Sequence, residues 1–151
     1  MKNFQLLQAL FTIHADNFRM LHWKACGKSF DRAHAIAADY YEMLGNDIDD
    51  IVEVMMRVDI KPLTTPQCYE AKKDIELDMF EADPDEDYEL EDVIKHTDSI
   101  LDNLLRGIGE VLMQKEYQED GDMVGIRSFL EGLYDKYDKQ ANYLNKRRMK
   151  K

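Results

Sequence analysis

The chain has 151 residues, 44% of them hydrophobic and 34% charged, which is material for one domain with a buried core. Its 31 acidic against 20 basic side chains give a formal charge of −11, a field that repels naked nucleic acid and anionic membranes and attracts cations. The two cysteines, Cys26 and Cys68, form no CxxC and exclude a disulfide framework and a thiolate zinc site, and no stretch approaches the roughly 18 apolar residues of a membrane span.

At the N-terminus, Met1-Lys2-Asn3-Phe4 leads into polar Gln5 and Gln8 rather than a signal-peptide core, so the expected location is the cytoplasm. Phe4, Leu7, Phe11, His14, Phe18 and Leu21 alternate steps of three and four, predicting a first helix with a long apolar stripe. Gly27-Lys28-Ser29 breaks it. A second helix is predicted from Asp31 to about Val58, with Ile36, Tyr40, Leu44, Ile48, Ile51 and Met55 on one side. Pro62 and Pro66 close that region, and Thr65 is the expected cap of a short connecting helix near Gln67 to Phe80. Leu90, Val93, Thr97, Ile100, Leu104, Ile108 and Val111 mark a third long helix. Gly121 marks a turn, and Ile126, Leu130, Leu133, Tyr137, Gln140 and Leu144 mark a fourth. No strand-like alternation competes with these stripes.

The expected fold is therefore all-α: one domain over 1–151, a four-helix bundle with a long connection carrying a short helix between its second and third members. Periodicity alone does not separate the ferritin-like version of this layout from other long bundles. Two segments stand apart in composition. Residues 63–88 form an acidic connector, within a stretch from Asp74 to Asp92 that holds eleven acidic residues and no Lys or Arg. Calcium binding is the sharper reading of that stretch, but it lacks EF-hand spacing and reads as a solvated connector. Residues 146–151, Lys146-Arg147-Arg148-Met149-Lys150-Lys151, are a basic tail that complements the last helix dipole; contact with DNA is the functional alternative.

Four histidines are candidate ligands. His14 lies in the apolar stripe of the first helix and is expected to be a satisfied core residue, and His96 carries no partner signal. His22 and His34 flank the first turn, so a chain reversal there brings them together, and imidazole suits iron or zinc. On the second helix Asp49 and Glu53 are four apart and share a face, where they read either as a solvated stripe or as paired oxygen ligands. His34 and Asp49 are fifteen residues apart, about 22 Å along one helix, so the two pairs cannot hold one ion within a chain. If the second helix packs antiparallel against its own copy about a two-fold axis near residue 42 or 43, His34 meets the other chain's Asp49 and Glu53. Such an interface makes two equivalent sites, each built from both chains. An internal di-iron centre is not expected, because no histidine has Glu three residues before it.

Leu21-His22-Trp23, Gly27, Phe30, His34, Tyr41, Asp49, Glu53 and Pro62, at these spacings, resemble the signature of the Dps proteins, the mini-ferritins that protect DNA in starved bacteria. The resemblance extends more loosely over the later helices. It implies a ferritin-like fold and a hollow shell, a dodecamer built from two-fold dimers, that oxidises Fe(II) with peroxide or dioxygen and stores ferric mineral. By matching position, His22 and His34 of one subunit and Asp49 and Glu53 of its neighbour would be the iron ligands, with Glu53 the one placed to bridge two ions. Trp23, beside the site, would intercept oxidising equivalents, and Tyr41, one helical heptad after His34, would help in that role, although plain packing explains either aromatic as well. Glu119, Asp120 and Asp122 match the region that lines the family's iron-entry pores. The chain departs from the pattern at Asp59-Ile60, where a pair of glycines is usual, in its long acidic connector, and at the helix-interior Gly107 and Gly109. The competing readings are a non-catalytic helical shell or interaction protein and a DNA-compacting protein acting through the tail.

Overall fold

In the computed structural model, which describes residues 4–151, the apolar stripes become seven α-helices and no β-strand. They are α1 (Phe4–Trp23), α2 (Phe30–Arg57), α3 (Thr65–Ala71), α4 (Leu90–Leu112), α5 (Lys115–Glu119), α6 (Val124–Lys139) and α7 (Asn145–Met149). A five-residue π-helical turn, Gln140–Leu144, joins α6 to α7, so the two run on as the fourth member of the bundle formed with α1, α2 and α4. Helix α1 is buried on most of its surface because α2 and α4 pack on one side and α3 on the other, which is why it is apolar nearly all round. The core is continuous: Phe11 meets Tyr137 edge-on at 5.2 Å, and Phe18 stacks on Tyr40 at 5.0 Å. Each such ring contributes about 1.5–3 kcal/mol through burial alone.

The departures from the sequence pattern have local causes. Helix α3 is capped by Thr64, not Thr65: the Thr64 hydroxyl accepts from Gln67 N–H, and the Gln67 side chain accepts from Thr64 N–H. The connecting helix ends at Ala71, with a 3₁₀ turn over Lys72–Asp74, well short of Phe80. Beyond it Ile75, Leu77 and Met79 are half-buried while Glu76 and Asp78 are exposed, the period of two of extended chain. Two buried asparagines take up the main-chain groups of this extended run. Asn17 donates to Phe80 C=O (2.9 Å) and accepts from Ala82 N–H (3.1 Å), and Asn103 donates to Asp78 C=O (3.2 Å).

Asp59 closes α2 at φ +58°, the left-handed conformation that glycine adopts freely. Ile60 N–H bonds to Met55 C=O (2.9 Å) and Asp59 N–H to Met56 C=O (3.3 Å), a Schellman ending built without glycine. Gly107 faces α1 so closely that a Cβ there would lie 2.4 Å from Leu10 Cδ2, which accounts for a glycine inside α4. At the π-helical turn, Tyr40 of α2 spans the irregularity: its hydroxyl donates to Gln140 Oε1 (2.8 Å) and accepts from Arg148 Nη1 (2.7 Å). The basic C-terminal segment is therefore not a free tail. It is helical to Met149, with Arg148 bound to Tyr40 and Lys146 paired with Asp98 at 3.1 Å, while Arg147, Lys150 and Lys151 are exposed.

Candidate metal centre

Helix α1 ends at Trp23 and α2 begins at Phe30, so the chain must reverse within six residues. Gly27 makes this possible at φ +91°, and the connector fixes the turn from outside. Cys26 N–H donates to Tyr88 C=O (2.9 Å) and Tyr88 N–H donates to Lys24 C=O (2.8 Å). The reversal brings the last turn of α1 against the second turn of α2. His22 and His34 then stack face to face, ring centroids 3.7 Å apart and planes at 22°, with Phe30 stacked on the other side of His34 at 5.0 Å.

Each histidine is oriented by the other's backbone: His22 Nδ1 lies 3.1 Å from His34 C=O, and His34 Nδ1 lies 2.8 Å from His22 C=O. A carbonyl only accepts, so in both rings Nδ1 carries the proton and the Nε2 lone pair is left available. That is the tautomer and the bracing that histidine ligands of metals characteristically have. Both rings are half-buried.

Asp49 and Glu53 lie elsewhere on the subunit, exposed on α2 about 22 Å along the helix from His34 at about 1.5 Å per residue. Nearby Asp47 carries different chemistry. Asp47 is 4% exposed and turns inward, accepting from Tyr137 OH (2.6 Å) and from Lys136 Nζ (2.8 and 3.0 Å). Among the described residues no group of three or more His, Cys, Asp or Glu side chains is placed to hold a metal ion. One chain thus presents a pair of imidazoles and a pair of exposed carboxylates, well apart.

The other two histidines serve the interior. His14 is fully buried between Asn103 Oδ1 (3.2 Å from Nε2) and Asn17 Nδ2 (3.1 Å from Nδ1), and burial lowers its pKa to about 4, so the ring is neutral. His96 does have partners: it stacks on Phe80 at 4.1 Å and meets the edge of Tyr88 at 5.5 Å, and burial lowers its pKa as well.

Trp23 is 61% exposed and Tyr41 38% exposed on the outer face of α1 and α2. Between them lies Arg19, which the sequence pattern did not single out, its guanidinium 5.2 Å from the Trp23 ring and 5.8 Å from the Tyr41 ring. Arg19 is paired with Asp16 at 2.8 Å, and Asp16 in turn accepts the hydroxyl of Tyr69 from α3. The steps from Asp16 to Arg19 to Trp23, three and four, are a legible helix-face signal; Tyr69, fifty-three residues from Asp16, gives none. The acidic Glu119, Asp120 and Asp122 are exposed at the turn between α4 and α6.

Neither a family sequence model nor a characterised protein sequence matches the chain. Solved structures do. Helicobacter cinaedi CAIP superposes with a TM-score of 0.82 at 15% identity, over 97% of this chain and 96% of that one. Dps from Staphylococcus aureus gives 0.79 at 17% identity, over 98% and 93%. A Listeria innocua Dps variant gives 0.80 at 16% identity, over 98% and 92%; in it two histidines twelve residues apart, the spacing of His22 and His34, are replaced by glycine. The class is thus a ferritin-like four-helix bundle with a crossover connection. More narrowly, the fold is that of the Dps mini-ferritin subunit, over essentially its whole length. No helix among the described residues is long and apolar enough to cross a membrane.

Proposed function

We propose that this chain is a Dps-type ferroxidase and iron-storage subunit, acting in the cytoplasm, whose iron sites are completed only where two copies meet. One observation carries the reading: the reciprocal Nδ1–H···O=C bonds of the stacked His22 and His34, which commit each Nδ1 to the backbone and leave each Nε2 as the ring's donor atom. The exposed Asp49 and Glu53 supply the matching oxygen donors, and an antiparallel α2–α2 contact sets them against the other copy's histidines. Imidazole nitrogen holds Fe(II), carboxylate oxygen favours Fe(III), and four protein ligands shared between two ions leave positions for oxidant and incoming iron. Iron is the substrate. Two Fe(II) each give one electron to hydrogen peroxide, the O–O bond breaks, and two protons complete two waters, so no hydroxyl radical leaves.

A −11 subunit draws Fe(II) towards a shell built from its copies, and the acidic Glu119, Asp120 and Asp122 fit an entry route. DNA contact has weaker support, since Lys146 and Arg148 are held within the subunit. The test is anaerobic Fe(II) titration followed by peroxide, on wild type, His34→Ala and Glu53→Ala. Both variants should lose most of the fast Fe(III) absorbance; unchanged oxidation in both rules out the site, and a strictly monomeric wild type by light scattering rules out a shared one.

A further inference from the structure

Away from the candidate metal centre, the buried side chains of His14, Asn17 and Asn103 form one network, and the connector hangs on it. The backbone sets the direction of every bond. Ala82 N–H only donates, so it faces Asn17 Oδ1; Phe80 C=O only accepts, so it faces Asn17 Nδ2. That same Nδ2 lies 3.1 Å from His14 Nδ1, which must therefore be unprotonated and accept. Asn103 Nδ2 is likewise committed to Asp78 C=O, leaving Asn103 Oδ1 to accept from His14 Nε2–H at 3.2 Å. Only the neutral ring, in this one tautomer, satisfies every group. A proton on Nδ1 sets two donors face to face. Turning the Asn17 amide over relieves that contact, but it points Nδ2 at Ala82 N–H and leaves Phe80 C=O without its donor. By either route the extended run loses its hold on α1.

We propose that His14, Asn17 and Asn103 are an acid-sensitive latch: a proton on His14 releases the connector over residues 78–82 while the helical bundle stays folded. Release lifts the half-buried Met79 and Phe80 off the core against which they pack. The latch needs neither iron nor a second subunit. Its surroundings oppose the proton until the connector lets go. Among the described residues no carboxylate pairs with the His14 ring, and burial and the Lys72 ammonium of the 3₁₀ turn both disfavour its charge. Asp78 is exposed and enters the network only through its main-chain carbonyl. The second titratable ring against this run is His96 of α4, stacked on Phe80; burial and Lys95 disfavour its charge, while Asp92 and Glu86 favour it.

Amide hydrogen exchange, corrected for intrinsic rates, reads the opening of the connector and of α4 separately at each pH. With 6.5 for the free ring and about 4 for the latched one, opening at Ala82 should rise about 20-fold from about pH 7 to about pH 5. The core amides of α4 should stay protected over that range. His14→Gln supplies an amide donor and acceptor without a titratable ring, so its Ala82 opening should stay flat. His96→Gln should keep the wild-type rise. Three results overturn the latch: connector and α4 losing protection together, an unchanged rise in His14→Gln, or a rise abolished by His96→Gln. Should His14→Gln fail to fold, nitrogen NMR of histidine-labelled wild type decides. It should show His14 as the Nε2–H tautomer at neutral pH, taking up its proton in step with the opening at Ala82. An Nδ1–H tautomer, or a titration out of step with that opening, overturns the proposal.

Discussion

The proposal that neither half-site works within its own chain has a consequence that mixing experiments read directly. His34 and Asp49 stand about 22 Å apart along α2, several times the span of a two-metal site, at about 1.5 Å per residue. A His34→Ala subunit therefore keeps a good carboxylate half, and a Glu53→Ala subunit keeps a good histidine half. In a two-fold dimer of one with the other, one site receives both defects and the other receives none. Co-assembly from an equal mixture puts about half of the dimers in this mixed form, so about a quarter of all sites are intact. Each variant alone has none. The assay is stopped-flow Fe(III) absorbance after peroxide, on the two variants singly and after joint unfolding and refolding. The mixture should recover about a quarter of the wild-type fast amplitude, as the dimer statistics require. No recovery, with mixed dimers demonstrated by mass spectrometry, would refute the shared site, because two sites each contained within one chain cannot complement.

Three further outcomes follow from the geometry. His14 has its pKa lowered from 6.5 to about 4 by burial, so the unfolded chain binds more protons between those values. That contribution is complete above pH 6.5 and is lost as pH falls towards 4, amounting to about 3 kcal/mol; a His14→Gln variant should show a correspondingly flatter decline of denaturant midpoint with acid. Asp59→Gly should stabilise the subunit by about 0.5–1 kcal/mol, measured by denaturant unfolding, because it relieves a left-handed non-glycine residue while keeping the Schellman bonds; a loss would mean that the Asp59 side chain itself holds the turn. Removing Lys150 and Lys151 spares the Arg148–Tyr40 bond, and a gel shift that is unchanged by that truncation at every salt concentration would exclude these two lysines as a DNA contact.

Much of the bundle was legible because amphipathic spacing needs only neighbours three and four residues away. Phe4 to Leu21 and Leu90 to Val111 read correctly for that reason, as did His14, whose place in an apolar stripe marked it as core. The connector was misjudged. Its alternating Asp74-Ile75-Glu76-Leu77-Asp78-Met79 carries an extended-chain signal, but the partners that satisfy its backbone, Asn17 and Asn103, lie on α1 and α4. The inward turn of Asp47 was out of reach for a similar reason: it depends on Lys136 and Tyr137 from a helix about ninety residues away.

At the candidate centre, the sequence by itself determined which residues could serve. Two histidines flanking a glycine turn, and two carboxylates one helical turn apart, follow from spacing, and helix rise alone separates the halves. Only the tertiary structure decided how the histidines are held. Their tautomers follow from two backbone carbonyls that meet them across the α1–α2 reversal, and that reversal is pinned by Tyr88 from the far end of the connector. The chain of Tyr69, Asp16, Arg19 and Trp23 is likewise an outcome of α3 docking on α1. A hydrogen bond between residues fifty-three apart depends on where helices pack, and no local periodicity encodes that.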